Sequence, residues 1–109
     1  MSDQTVKVEE LRSLAFGGIS GSYAVLGAAF SNAARAIRIV NHTNGDLLFS
    51  FDGSTDHLFV MSNTSRLYDF NLNRERNANV WVKPEGTQIF VKQSTAPSTN
   101  AVYLEVFYA

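Results

Sequence analysis

Apolar and polar residues alternate along the chain from Arg35 onward. Ile37 and Ile39 fall on one side and Arg38 on the other, the two-residue period of a strand with one wet face, which predicts a strand over residues 35–41. The apolar run resumes at Leu47-Leu48-Phe49-Ser50-Phe51. Between the runs lies Asn44-Gly45, a pair that tolerates positive φ, so the pattern predicts a hairpin there. Asp52-Gly53 opens the next turn, and Leu58-Phe59-Val60-Met61 and Arg66-Leu67-Tyr68-Asp69-Phe70 predict short strands around Ser62-Asn63-Thr64-Ser65. A turn signal thus recurs about every ten residues, the rhythm of sandwiches and barrels.

Residues 71–79, with four asparagines and three charges, predict the longest exposed loop. Val80-Trp81-Val82 leads to a turn at Pro84-Glu85-Gly86, and Thr87-Gln88-Ile89-Phe90-Val91-Lys92 alternates again before a polar loop over residues 94–100. In the last strand, residues 102–108, Val102, Leu104, Val106 and Tyr108 face one way and Tyr103, Glu105 and Phe107 the other. So apolar a strand is buried on both faces or gives one face to a partner.

The first third differs. Asp3, Lys7, Glu9 and Glu10 predict an exposed start, and residues 14–27 hold four glycines, each costly inside a helix, which predicts extended chain with bends. Residues 28–34 are expected to be irregular. The segment 11–34 has two readings: extra strands inside the domain, or an arm that pairs with a neighbouring subunit and so satisfies its backbone groups there. The arm is preferred. The expected division is an N-terminal arm and glycine-rich extended segment over residues 1–34 and a β-sandwich domain over 35–109. The expected fold is all-β, a small antiparallel sandwich of jelly-roll type.

A chain of 109 residues is the size of one such domain. Nine Lys plus Arg against ten Asp plus Glu leave a net charge of −1, without the basic excess that binding to a phosphate backbone requires, so no direct nucleic-acid partner is expected. The absence of cysteine excludes a disulfide framework and a thiolate metal site. No basic start followed by an apolar run is present, and no stretch approaches the roughly 18 apolar residues of a membrane span, so synthesis and assembly in the cytoplasm are expected, with no membrane partner.

The order of the turns carries a resemblance. Residues 39–53 contain Asn41-His42-Thr43-Asn44-Gly45-Asp46 (N-x-T-x-x-D) and Ser50-Phe51-Asp52-Gly53 (S-x-D-G). Gly86-Thr87-Gln88-Ile89-Phe90-Val91-Lys92 (G-T-x-I-x-V-K) follows, then a loop with Pro97 and a terminal aromatic strand. Over nearly the whole chain this resembles a family of small tailed-bacteriophage virion structural proteins. The resemblance implies a homo-oligomer in the virion, with copies of itself and other virion proteins as partners. It implies a capsid decoration or cement protein bound to the major capsid protein, or a head–tail connector subunit forming a ring with portal and neck proteins. The decoration role leads.

Chemistry-bearing residues fit turns better than sites. Asp46, Asp52 and Asp56 bracket one turn region, but Gly53 stands second in Asp52-Gly53-Ser54-Thr55-Asp56 and no glutamate follows at calcium-loop distance, so no metal is expected. His42 and His57 sit at strand edges without a recognisable partner, and Gly17-Gly18-Ile19-Ser20-Gly21 is neither a nucleophile elbow nor a phosphate loop. No enzymatic activity and no cofactor are expected. Trp81, Tyr68, Tyr103 and Phe107 offer either an aromatic platform for a glycan or core and protein interface, and the second is preferred, because a gap of about 10 Å between sheets needs large side chains. The expected interface residues are Phe16, Tyr23, Trp81, Tyr103 and Phe107.

Overall fold

The computed structural model describes residues 7–69 and 86–108. Its strands are β1 (Lys7–Val8), β2 (Arg12–Ala15), β3 (Ala24–Val25), β4 (Ala36–Asn41), β5 (Leu47–Ser50), β6 (Leu58–Val60), β7 (Thr64–Asp69), β8 (Phe90–Gln93) and β9 (Ala101–Tyr108), with a 3-10 turn at Phe16–Gly18. The first sheet runs β1-β9-β4-β7, with β2 also on β9, and the second runs β3-β8-β5-β6. Every pairing is antiparallel. With β1 and β2 as two halves of one strand along β9, eight strands form two four-stranded sheets in jelly-roll order, the sandwich expected.

Alternation decides the core. Ile37, Ile39, Val102, Leu104 and Val106 from the first sheet meet Leu47, Phe49, Val60 and Val91 from the second, all fully buried. The faces expected for the last strand hold: Val102, Leu104 and Val106 are inside, while Tyr103, Glu105 and Phe107 stand on the outer face, half-buried.

The hairpin expected at Asn44-Gly45 does not form. β4 pairs with β7 and β9, and β5 with β6 and β8, so this turn carries the chain from one sheet to the other. Asn41 supplies the reason. Its buried amide nitrogen donates to the carbonyls of Gly45 (2.9 Å), Val60 (3.1 Å) and Met61 (3.2 Å), and its oxygen accepts from the Thr43 amide (3.0 Å) and hydroxyl (2.6 Å). These bonds serve backbone groups that a ladder would otherwise have to satisfy. Gly45 does not take a positive φ; it is needed because the Thr95 carbonyl and Pro97 occupy the place of a side chain.

The boundary expected at residue 34 is absent from the packing. Residues 7–34 lie on the sandwich of their own chain, with β1 and β2 on β9, β3 on β8, and Ile19, Leu26, Phe30 and Ala34 in the core. A bulge makes this possible. Val8 is opposite Phe107 and Arg12 opposite Leu104, so residues 9–11 stand against residues 105–106 alone. The extra residue switches faces: Val8 shares the outer face with Phe107, and Arg12 turns inward beside Leu104. The strand, turn and loop expected over residues 71–85 lie outside the described residues.

Candidate assembly surface

The outer face of the first sheet is built by register. One row across it is Val8, Phe107, Ala36 and Asp69; the next is Glu105, Arg38 and Leu67; the third is Ser13, Tyr103, Val40 and Ser65. Val8 and Leu67 are 56% and 62% exposed. The charged groups of the middle row, Arg38 and Glu105, form a salt bridge at 3.1 Å with both side chains open to solvent, a contact of small energetic worth. Beside Ser13, Ser65 and Asp69 the face carries the apolar side chains of Val8, Ala36, Val40 and Leu67, with Tyr103 and Phe107 along one of its two inner strands.

Of the expected interface residues, only Tyr103 and Phe107 are brought together. Phe16 is 40% exposed on the turn after β2, at one end of the sandwich, where its amide donates to the Asn100 carbonyl at 2.9 Å. Tyr23 precedes β3 at the edge of the second sheet. Its hydroxyl donates to Asp56, and the Lys92 ammonium stands 4.7 Å from its ring centre and 3.3 Å from Asp56. Burial, the Asp56 hydrogen bond and the charges of Asp56 and Asp52 push the Tyr23 hydroxyl pKa well up. Trp81 lies outside the described residues. Tyr68 faces the core opposite Ile37 while Tyr103 faces outward opposite Val40, so these two do not share a platform. Val8 and Leu67 were missed because neither belongs to an aromatic run, and their place on this face follows from the bulge and from strand pairing.

Asp52 and His57 hold the turn between β5 and β6, Asp46 ties the β5 start to residue 62, and Asp56 serves Tyr23 and Lys92. Asp52 accepts from the Ser54 and Thr55 amides, both at 2.8 Å, and from the Ser50 hydroxyl, which keeps its carboxyl well below the usual range. Asp46 accepts from the Ser62 amide at 2.9 Å, and the His57 Nδ1 accepts from the Phe51 amide at 3.0 Å. His42 is exposed, and its amide donates to the Ala101 carbonyl at 3.1 Å.

A buried ion pair fixes the edge beside Val8. Arg12 donates to the carbonyls of Ala28 (2.7 Å), Ala29 (3.0 Å) and Glu10 (3.2 Å) and to the Glu9 carboxylate (2.7 Å), with its guanidinium 5.5 Å from the Phe30 ring centre. Glu9 also accepts from the Ser31 amide (3.2 Å) and the Asn32 side chain (3.0 Å). Desolvation works against the Glu9 charge, but these bonds and the Arg12 charge outweigh it and lower its pKa. Gly27, at φ 76°, leaves room for the Arg12 stem, since a Cβ there would overlap it. The sequence reading placed Glu9 at an exposed start and missed this cluster.

Solved assemblies share the fold. A chain of the cyanophage Pam1 capsid asymmetric unit superposes with a TM-score of 0.55 at 19% identity, covering 94% of this chain and 83% of that one. A subunit of the Bacillus endospore appendages, described as disulfide-linked pili, gives 0.52 at 14% identity, covering 99% and 91%. The SPP1 Dit protein, from a phage infecting Gram-positive hosts, gives 0.45 at 8% identity, covering 98% and 50%. No protein-family model and no curated protein matches the sequence. The first two likenesses establish a shared sandwich, and fold alone does not fix function.

Proposed function

We propose that the chain is a non-enzymatic structural subunit of a bacteriophage particle, a capsid decoration protein that docks through the outer face of its first sheet. The observation that carries this reading is that face: Val8, Leu67, Tyr103 and Phe107 surround one exposed ion pair. Large apolar side chains gain about 1.5–3 kcal/mol each on full burial, and interface cores are rich in Tyr and Phe. The turn order of the sequence and the sandwich shared with a cyanophage capsid chain support a virion as the setting. A ring at the head–tail neck is the alternative within it.

Gold-labelled antibody against the chain, applied to purified particles of the phage that encodes it, tests both. Label over all faces of the head is the expected result, and label at a single vertex assigns the neck. Particles without label and without peptides of this chain by mass spectrometry overturn the virion reading. The likeness to the appendage subunit favours a second reading, a pilus subunit. Without cysteine this chain has no means of disulfide linkage, so such a filament would rest on packing alone.

A further inference from the structure

We infer that Asn44-Gly45 is a latent deamidation site, which the loop over residues 94–100 holds in check through Ser98. It is the one Asn-Gly step in the sequence. Asparagine before glycine is open to this reaction because glycine puts no side chain in front of its own backbone nitrogen. The Gly45 nitrogen loses its proton to solvent base and attacks Cγ of Asn44. As the N–Cγ bond forms the Cγ–Nδ2 bond breaks, ammonia leaves, and a five-membered succinimide remains. Water then opens the ring at either carbonyl, giving aspartate or isoaspartate, with no change of oxidation state.

Hydrogen bonds oppose ring closure from both reacting sides. Asn44 Nδ2 donates to the Ser98 hydroxyl at 2.9 Å, and its Oδ1 accepts from the Ser98 amide at 2.7 Å. Both ends of the carboxamide are tied to one residue, and they must let go before its carbon can become tetrahedral. The attacking nitrogen is engaged as well: the amide of buried Gly45 donates to the Thr43 hydroxyl at 3.3 Å. Ser98 is itself kept in place, because the Asp46 carbonyl accepts from the Ser94 amide at 2.8 Å and the Thr95 amide at 3.1 Å, which lays this loop along residues 44–46. Deamidation therefore waits on a local opening of the loop. The product has no room either. Isoaspartate routes the main chain through its side chain and adds one carbon between residues 44 and 45, where the Thr95 carbonyl and Pro97 already exclude a Cβ. That lengthened link falls on the crossing between the two sheets.

This protection belongs to the isolated chain and does not depend on the virion reading. Folded wild type, folded variants and wild type unfolded in guanidinium are incubated at the same mildly alkaline pH, and the loss of amide at residue 44 is followed by peptide mapping with mass spectrometry. Folded wild type is expected to react at least about tenfold more slowly than the unfolded chain, since both carboxamide hydrogen bonds must break first. Ser98→Ala, which keeps the amide and loses the hydroxyl, should react about fivefold faster than wild type. Ser98→Thr, which restores a hydroxyl, should return to the wild-type rate. Gly86→Ala strains the backbone away from this loop and should leave the rate at residue 44 unchanged. Purified isoaspartate product should melt below Asn44→Asp, which has the same charge without the added backbone carbon. Folded wild type that deamidates as fast as the unfolded chain overturns the inference. Ser98→Ala no faster than wild type, or matched by Gly86→Ala, overturns the role of Ser98, and an isoaspartate product that melts with Asn44→Asp overturns its exclusion from the crossing. If Ser98→Ala does not fold, the comparison of folded with unfolded wild type decides.

Discussion

Arg12 is a charged side chain with 7% of its surface exposed, and a single extra residue in the bulge before it puts it there. Turned inward, it finds carbonyl acceptors on residues 28 and 29 and the Glu9 carboxylate. Removing one partner of such a pair leaves the other buried without compensation. Arg12→Ala is therefore expected to cost about 3 kcal/mol in denaturant unfolding, and Arg12→Lys most of that, since an ammonium cannot match the guanidinium fork. Acid should act on the same cluster. The folded pKa of Glu9 lies below its ordinary 4.5, so its contribution is complete above pH 4.5 and is lost as pH falls through the lowered value. Asp52 and Asp56 are lowered too and remain in a Glu9→Gln variant. The loss of melting temperature between pH 5 and pH 3 should accordingly be smaller in Glu9→Gln than in wild type but not abolished. Equal losses would show that Glu9 is not held as described.

At the scale of elements, what was legible in the sequence was local, and what was not was pairing. The two faces of β9 follow from a period of two, which needs no partner to be read. Asn44-Gly45 carries the same turn chemistry in a hairpin and in a crossing between sheets, and only the distant acceptors of Asn41, on residues 60 and 61, distinguish them. Gly45 looked like a positive-φ residue but serves a close approach to residues 95 and 97, fifty or more positions away. The fold of residues 7–34 onto β8 and β9 was hidden for the same reason: small residues and glycines are compatible with an arm and with an edge strand alike. These crossings should be sensitive to substitution. Gly45→Ala forces the Thr95 carbonyl out of place and is expected to lower stability by about 2–4 kcal/mol, as overpacking and strain at a fixed backbone do. Asn41→Leu, which takes a donor from the carbonyls of Gly45, Val60 and Met61 and the acceptor from the Thr43 amide, should cost at least as much. Gly86→Ala is the comparison: a Cβ there meets nothing among the described residues, and the φ of 90° is strained. Thermal melting that ranks Gly86→Ala as the more damaging of the two glycine variants would contradict the assignment of Gly45.

At the scale of the molecule, the sandwich separates a closed interior from an outer face that carries large apolar side chains without being core. Tyr103 and Phe107 stand on that face, and the strand behind them keeps Val102, Leu104 and Val106 fully buried whether or not the aromatics are present. Replacing both aromatics by Ser should therefore leave the monomer nearly intact, with loss of melting temperature limited to the partial burial each has now, and should weaken attachment to particles. Deleting residues 1–22 is a different operation. It removes β1, β2, the Arg12–Glu9 pair and the buried Ile19, and it strips one side of β9 of its ladder, so the truncated chain should lose its fold rather than only its binding. Circular dichroism and melting on both variants, followed by particle binding for any that fold, distinguish the outcomes. A double Ser variant that unfolds while the truncated chain still folds and attaches would put the aromatic face in the core and residues 1–22 outside it, the reverse of the arrangement that register and burial describe.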